Sequence, residues 1–159
     1  MAIVTLTYTA NMAEPAIAGH QGVQSLLFAF NSGATAWGTA CDVVMLGRLP
    51  PHCIVLGGYV RGQHGGATGV HCLLTAVDAN DTSKSGGTIK MDQANGSFTL
   101  SATAASLFHI NGPTKISLSA DSTASSAVLY LNCTTGASAS VSTSLNGVIY
   151  YIADGRDTI

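Results

Sequence analysis

The sequence predicts an all-β domain: an antiparallel β-sandwich, jelly-roll-like, with an extended N-terminal arm. Three observations predict it. Short segments alternate apolar and polar residues with the two-residue period of a pleated strand. Turn-forming pairs punctuate them every 10 to 16 residues or so, as short strands with tight connections require. No stretch keeps an apolar stripe at helical spacing for three turns.

From the N-terminus, Ile3 to Tyr8 places Val4, Leu6 and Tyr8 on one face and Thr5 and Thr7 on the other. Asn11 to Gln24 mixes Pro, Gly and Ala without a period and reads as an arm or long loop. Residues 1–35 are therefore expected to form an N-terminal strand and arm, 36–153 the sandwich and 154–159 a C-terminal tail. Cys53 to Val60 is a long strand whose Gly57-Gly58 pair marks a bulge, a bend or a closely approaching backbone. Val70 to Val77 follows, then short strands at Thr88 to Met91 and Phe98 to Leu100, with Asn95-Gly96 between them suited to a type I′ hairpin. Ser101 to Phe108 is the one short-helix candidate, capped by Ser101. Lys115 to Ala120 alternates cleanly, with Ile116, Leu118 and Ala120 inward. Val128 to Cys133 and Val148 to Ile152 are apolar on both faces, as strands covered on both sides are. Breaks are expected at Gly65-Gly66, Asn80-Asp81, Ser85-Gly86-Gly87, Asn111-Gly112-Pro113 and Asn146-Gly147.

Charge is the unusual property. Only 9% of the 159 residues are ionised types, against about a quarter in ordinary domains. A folded monomer of this size exposes roughly 7,400 Å², so each charge has about 530 Å² to itself, where a typical domain allots about 190 Å². None occurs from Pro15 to Cys41, from Gln93 to Thr114 or from Ser122 to Ala153. Disorder does not explain this, because the chain is 47% hydrophobic with a net charge of −2. Nor does a membrane span, since no apolar run approaches about 18 residues. What remains is a folded subunit whose neutral surfaces are covered by other protein. The arm and its continuation (Ile17, Val23, Leu26, Phe28, Phe30), the single tryptophan Trp37 and the tail residue Arg156 are the expected contacts, with a core position as the alternative for Trp37. Nucleic acid is not an expected partner, because the six basic residues are scattered and aromatic residues are sparse.

Enzymatic chemistry is not expected. No Gly-x-Ser-x-Gly, His-Glu-x-x-His or Walker-type loop is present, and Glu14 is the only glutamate. No cofactor is implied. The four cysteines, Cys41, Cys53, Cys72 and Cys133, form no Cys-x-x-Cys pair, and no secretory leader is visible, so free thiols in a reducing cytoplasm are expected, with a disulfide possible but not implied. His64, His71 and Cys72 are the nearest approach to a metal set, yet alternation puts His71 and Cys72 on opposite faces. Asp78 to Asp81 offers oxygen ligands for Ca²⁺ but also the Asx chemistry of a turn, the preferred reading.

The stretch Gly38-Thr39-Ala40-Cys41-Asp42-Val43-Val44-Met45-Leu46-Gly47-Arg48-Leu49-Pro50-Pro51-His52-Cys53-Ile54-Val55-Leu56 resembles a segment of small tailed-phage virion proteins of the head-decoration and capsid-fibre-base type. With the following strand and Val148-Ile149-Tyr150-Tyr151, the resemblance spans about two-thirds of the chain. It implies a β-sandwich that forms trimers on a capsid as a decoration or cement subunit. Its partners would be copies of itself and the major capsid protein or another virion subunit, with assembly in the bacterial cytoplasm. Asp78 to Asp81 replaces the Gly-Asp-rich turn of that pattern, and four cysteines exceed it. The rival expectations are another virion position (tail tube, connector or shell-forming jelly roll) and a carbohydrate-binding host-attachment sandwich. The latter would draw on Tyr8, Trp37, Tyr59, Tyr130, Tyr150 and Tyr151.

Overall fold

A computed structural model describes residues 3–4, 22–92, 96–135 and 139–153. Ten strands occur among them: β1 (Ile3–Val4), β2 (Gln24–Asn31), β3 (Val43–Leu49), β4 (His52–Gln63), β5 (Val70–Asp78), β6 (Ser85–Ile89), β7 (Phe98–Leu100), β8 (Ser106–Ser117), β9 (Ala127–Thr135) and β10 (Ser144–Ala153). No α-helix occurs among the described residues. The expected sandwich is there. One sheet runs β1-β3-β9-β5-β6 with β7 also on β5, and the other runs β2-β10-β4-β8. All pairings are antiparallel except β1 with β3.

The core lies between the sheets, built from the inward half of each alternation. Leu74 and Ala76 of β5, Leu129 and Leu131 of β9, Val55 and Val60 of β4 and Ile149 of β10 are fully buried there. The segment of the family-like motif is a strand, a corner and a strand. β3 belongs to one sheet and β4 to the other, and Pro50-Pro51 carries the chain across. Proline suits that corner because its φ is already fixed and it has no ladder hydrogen to lose.

Gly57 and Gly58 mark a bulge in β4, as expected of a glycine pair. Tyr150 faces Gly57 but Tyr151 faces Val55, leaving Leu56 out of register. The same slip separates Val55 from Gly57 against β8. Gly58 has φ +147°, and a Cβ there would overlap the Val148 carbonyl of the adjacent strand.

Several expectations are corrected. Gln24 to Asn31, assigned to the arm within residues 1–35, is a full strand paired along its length with β10. Ser101 to Phe108 is not a helix: bends precede β8, which begins at Ser106 and continues through Asn111-Gly112-Pro113, where a break was expected. Asn146-Gly147 likewise lies inside β10, where Gly147 makes room for the Phe28 ring and the Tyr59 carbonyl. β6 and β7 do not form a hairpin, because each pairs with a different part of β5. Ala120 is exposed, beyond the end of β8. Tyr8, the arm from 11 to 21, Asn95 and the tail 154–159 lie outside the described residues.

Candidate interaction surface

The outer face of the four-stranded sheet follows from register and alternation alone. Three rows of side chains cross it: Ser25, Tyr150, Gly57 and Asn111; Leu27, Val148, Tyr59 and His109; Ala29, Asn146, Arg61 and Leu107. Arg61 is the one permanently ionised group among these twelve. Leu27 is 71% exposed and Leu107 52%, while Tyr59 and Tyr150 stand partly out of the surface. Val148 is buried although it points away from the core, because its row neighbours Leu27 and Tyr59 flank it. Val23, just before β2, and the bulged Leu56 extend the apolar area.

Four strands about 4.8 Å apart and eight residues long cover roughly 500 Å². The edge of β2 away from β10 has no strand partner among the described residues, and β2 carries no charge or proline to discourage one. The outer face of the other sheet differs. Met45, Tyr130 and Thr75 lie side by side, half-buried, and Asn132 donates to the Thr75 hydroxyl.

The predicted contact residues divide. Val23 is exposed beside this face, and Leu26 is half-buried against the core. Phe28 and Phe30 point inward from β2, and Trp37 is completely buried, so the expectation that these three form a contact surface is corrected. Alternation from Ser25 to Asn31 sends 28 and 30 into the sandwich and 27 outward. Trp37 packs edge-on against Phe30, centroids 5.4 Å apart, and its backbone bridges to Ser140. Ile17 and Arg156 lie outside the described residues. The residues missed from sequence were Leu27, Leu56, Leu107 and His109. A strand assignment for 24–31 would have found the first.

The remaining polar clusters serve the fold. Asp42, buried, accepts from the Gly38 and Thr39 amides at 3.1 and 3.0 Å and from the Thr39 hydroxyl at 2.8 Å. These charge-assisted bonds close the loop that delivers the chain from Trp37 to β3. His64 is wholly buried, with Nδ1 2.8 Å from the Thr143 hydroxyl, and its ring lies against Gly38. His71 is exposed and Cys72 buried, on opposite faces of β5. Among the described residues no three His, Cys, Asp or Glu side chains are grouped to hold a metal.

At the candidate Ca²⁺ turn, both Asp78 oxygens already have protein partners. Oδ1 accepts from the Asn80 and Asp81 amides, and Oδ2 from the Ser122 hydroxyl. The Ser122 bond, foremost, holds the Asp78 carboxyl below its ordinary range. Ser83 does the same for Asp81, and Ser119 followed by Lys84 brings Asp121 down to about 2. Lys84 and Asp121 are 2.9 Å apart. A carboxyl lowered by folding stabilises the protein above its unfolded value, about 3.9, and that contribution is lost as pH falls through the folded value. The urea midpoint is therefore expected to fall between about pH 4 and pH 2. A midpoint flat to pH 2 would contradict it.

Of the aromatics a sugar platform would need, Trp37 and Tyr151 are buried and Tyr130 is half-buried, leaving Tyr59 and Tyr150 exposed among the described residues.

No known protein-family profile matches the chain, and no curated protein sequence does. A similar solved structure is a chain described as "Capsid of Ralstonia phage GP4": TM-score 0.56, 11% identity, covering 96% of this chain and 98% of that one. A chain of "Cyanophage Pam1 capsid asymmetric unit" aligns over 90% and 95% at 21% identity, with a TM-score of 0.38, too loose a superposition to argue from. The first defines a shared fold: this is a β-sandwich of a kind also present in a phage capsid.

Proposed function

We propose that the chain is a non-enzymatic structural subunit of a phage particle, a decoration or cement subunit. It would sit on the capsid as a homotrimer and bind its neighbours through the outer face of β2-β10-β4-β8. The observation that carries this reading is that face, twelve positions with one permanent charge and two largely exposed leucines. Burying such a surface against protein gains about 25 cal/mol per Å² of apolar area with little charge to desolvate. The fold shared with a chain of a phage capsid supports the setting.

Sedimentation of the isolated chain tests the reading. A trimer is expected, and Leu27→Lys, which puts an ammonium group into the patch, is expected to weaken association about 10- to 100-fold. A chain that stays monomeric at high concentration near neutral pH, indifferent to Leu27→Lys, would overturn it. Rings or tubes in electron micrographs would instead assign it to a tail tube or connector.

A further inference from the structure

We propose that Cys72 and Cys133 form a reversible cross-strand disulfide, with Cys41 as the thiol through which the oxidising equivalent enters. This does not depend on the virion reading. Cys72 of β5 and Cys133 of β9 are direct register partners and both point into the core. The kind of pair they form follows from the backbone. The Cys133 amide donates to the Asp42 carbonyl at 2.8 Å, and its carbonyl accepts from the Cys41 amide at 2.9 Å. In an antiparallel ladder a residue's N–H and C=O point to the same neighbour, so Cys133 spends both on the β3 side. Towards β5 it is therefore in a non-hydrogen-bonded pair, the kind whose Cα atoms in a regular ladder are about 4.5 Å apart with side chains at their closest, and a bulge beside it separates His71 from Cys72. Disulfides span Cα separations of roughly 4.4–6.8 Å. Both thiols are free, and among the described residues each donates weakly to a carbonyl, Cys72 to Val70 at 3.8 Å and Cys133 to Gly38 at 3.3 Å.

Cys41 supplies the route in. It is exposed, sits at φ +72° and is tied by its amide to Cys133. Burial pushes the Cys72 thiol well above its usual range and Cys133 up to about 11. Neither is a good first nucleophile for an outside oxidant, which must react with Cys41.

The oxidant is a small-molecule disulfide, RSSR. The Cys41 thiolate attacks one sulfur to give a mixed disulfide and RS⁻. Cys133, deprotonated, attacks the Cys41 sulfur and expels the second RS⁻. Cys72 then attacks the Cys133 sulfur and returns Cys41 as thiolate. Two protein thiols and RSSR become one protein disulfide and two RSH, with two electrons passing to RSSR. Within a reducing cell the thiols persist; outside it the bond would fasten β5 to β9.

The test treats the folded full chain with oxidised glutathione, blocks free thiols in denaturant and maps tryptic peptides without reduction. Cleavage after Arg48, Arg61, Lys84 and Lys115 leaves each cysteine on its own peptide. The expected product links Cys72 to Cys133 with the loss of two hydrogens and leaves Cys41 and Cys53 free. Its Tm is expected to rise on the order of 10 °C, as closing a long loop does. Cys41→Ser is expected to slow the linkage about tenfold without changing its partners. Glutathione on Cys41 with Cys72 and Cys133 still free, or a linkage formed only after unfolding, would overturn the proposal. A linkage rate unchanged in Cys41→Ser would overturn the entry role.

Discussion

Gly58→Ala is expected to cost more than about 4 kcal/mol and to leave little folded protein at room temperature. Gly58 sits in the interior of the four-stranded sheet, where β4 is hydrogen-bonded on both sides. Its φ of +147° is closed to a residue with a Cβ, and the methyl would overlap the Val148 carbonyl, with the Val148 carbonyl carbon and Ile149 Cα close behind. These are backbone atoms of β10, held by its pairing with β2, so no rotamer change relieves the contact. Either the β4–β10 ladder parts or the strands separate. Gly33→Ala is the control: φ there is +55° with nothing within 4 Å of a Cβ, so only a left-handed penalty of roughly 1–2 kcal/mol applies. Soluble yield and urea unfolding of the two variants measure the difference, and equal losses would refute the backbone argument.

Trp37→Ala is expected to destabilise by about 3–5 kcal/mol, seen as a lower urea midpoint with an unchanged slope. Trp37 is 0% exposed and makes the edge-on contact with Phe30, so its removal leaves a cavity where the loop before β3 meets the end of β2. One term opposes the loss. Among the described residues the buried indole Nε1 finds no hydrogen-bond partner, a penalty of about 1–3 kcal/mol that the truncation removes. Trp37→Phe should consequently be milder than the volume change implies. A Trp37→Ala variant as stable as the parent would place the side chain outside the core.

The strands legible in the sequence were runs of strand-favouring residues bounded by turn or corner signals. The run from Val70 to Val77, the apolar run at Val128 to Cys133 and the Leu49-Pro50-Pro51 corner all stand where the pattern puts them. β2 was lost because Leu27, an outward residue, is as apolar as the inward Leu26 and Phe28, so the alternation that sorts the faces is masked. Asn146-Gly147 and Asn111-Gly112-Pro113 read as turns because glycine's local preference cannot be told from its other use, admitting a neighbouring backbone or ring. Only the partners, Tyr59 and Phe28 in one case and Leu56 in the other, decide between them. Charge poverty was visible in composition, but which face concentrates it depends on register, a long-range property. Trp37 shows the same limit: an uncharged context fits a core and an interface equally.

The order of strands across the sheets constrains when the domain can come into being. β9 lies between β3 and β5, and β10 between β2 and β4, so each sheet is joined through a strand from the C-terminal third of this chain. Until those segments leave the ribosome, β2 and β3 have, among the described residues, no neighbour in their own sheets apart from β1, and the other pairings open to the chain are those around β5 and between β4 and β8. The nascent polypeptide thus carries the inward rings of Phe28 and Phe30 and the uncharged backbone edge of β2 unpaired until β10 emerges. Each sheet is completed only once β9 and β10 are available, so a chain held back before β9 leaves β3 unjoined to β5 and β2 unjoined to β4.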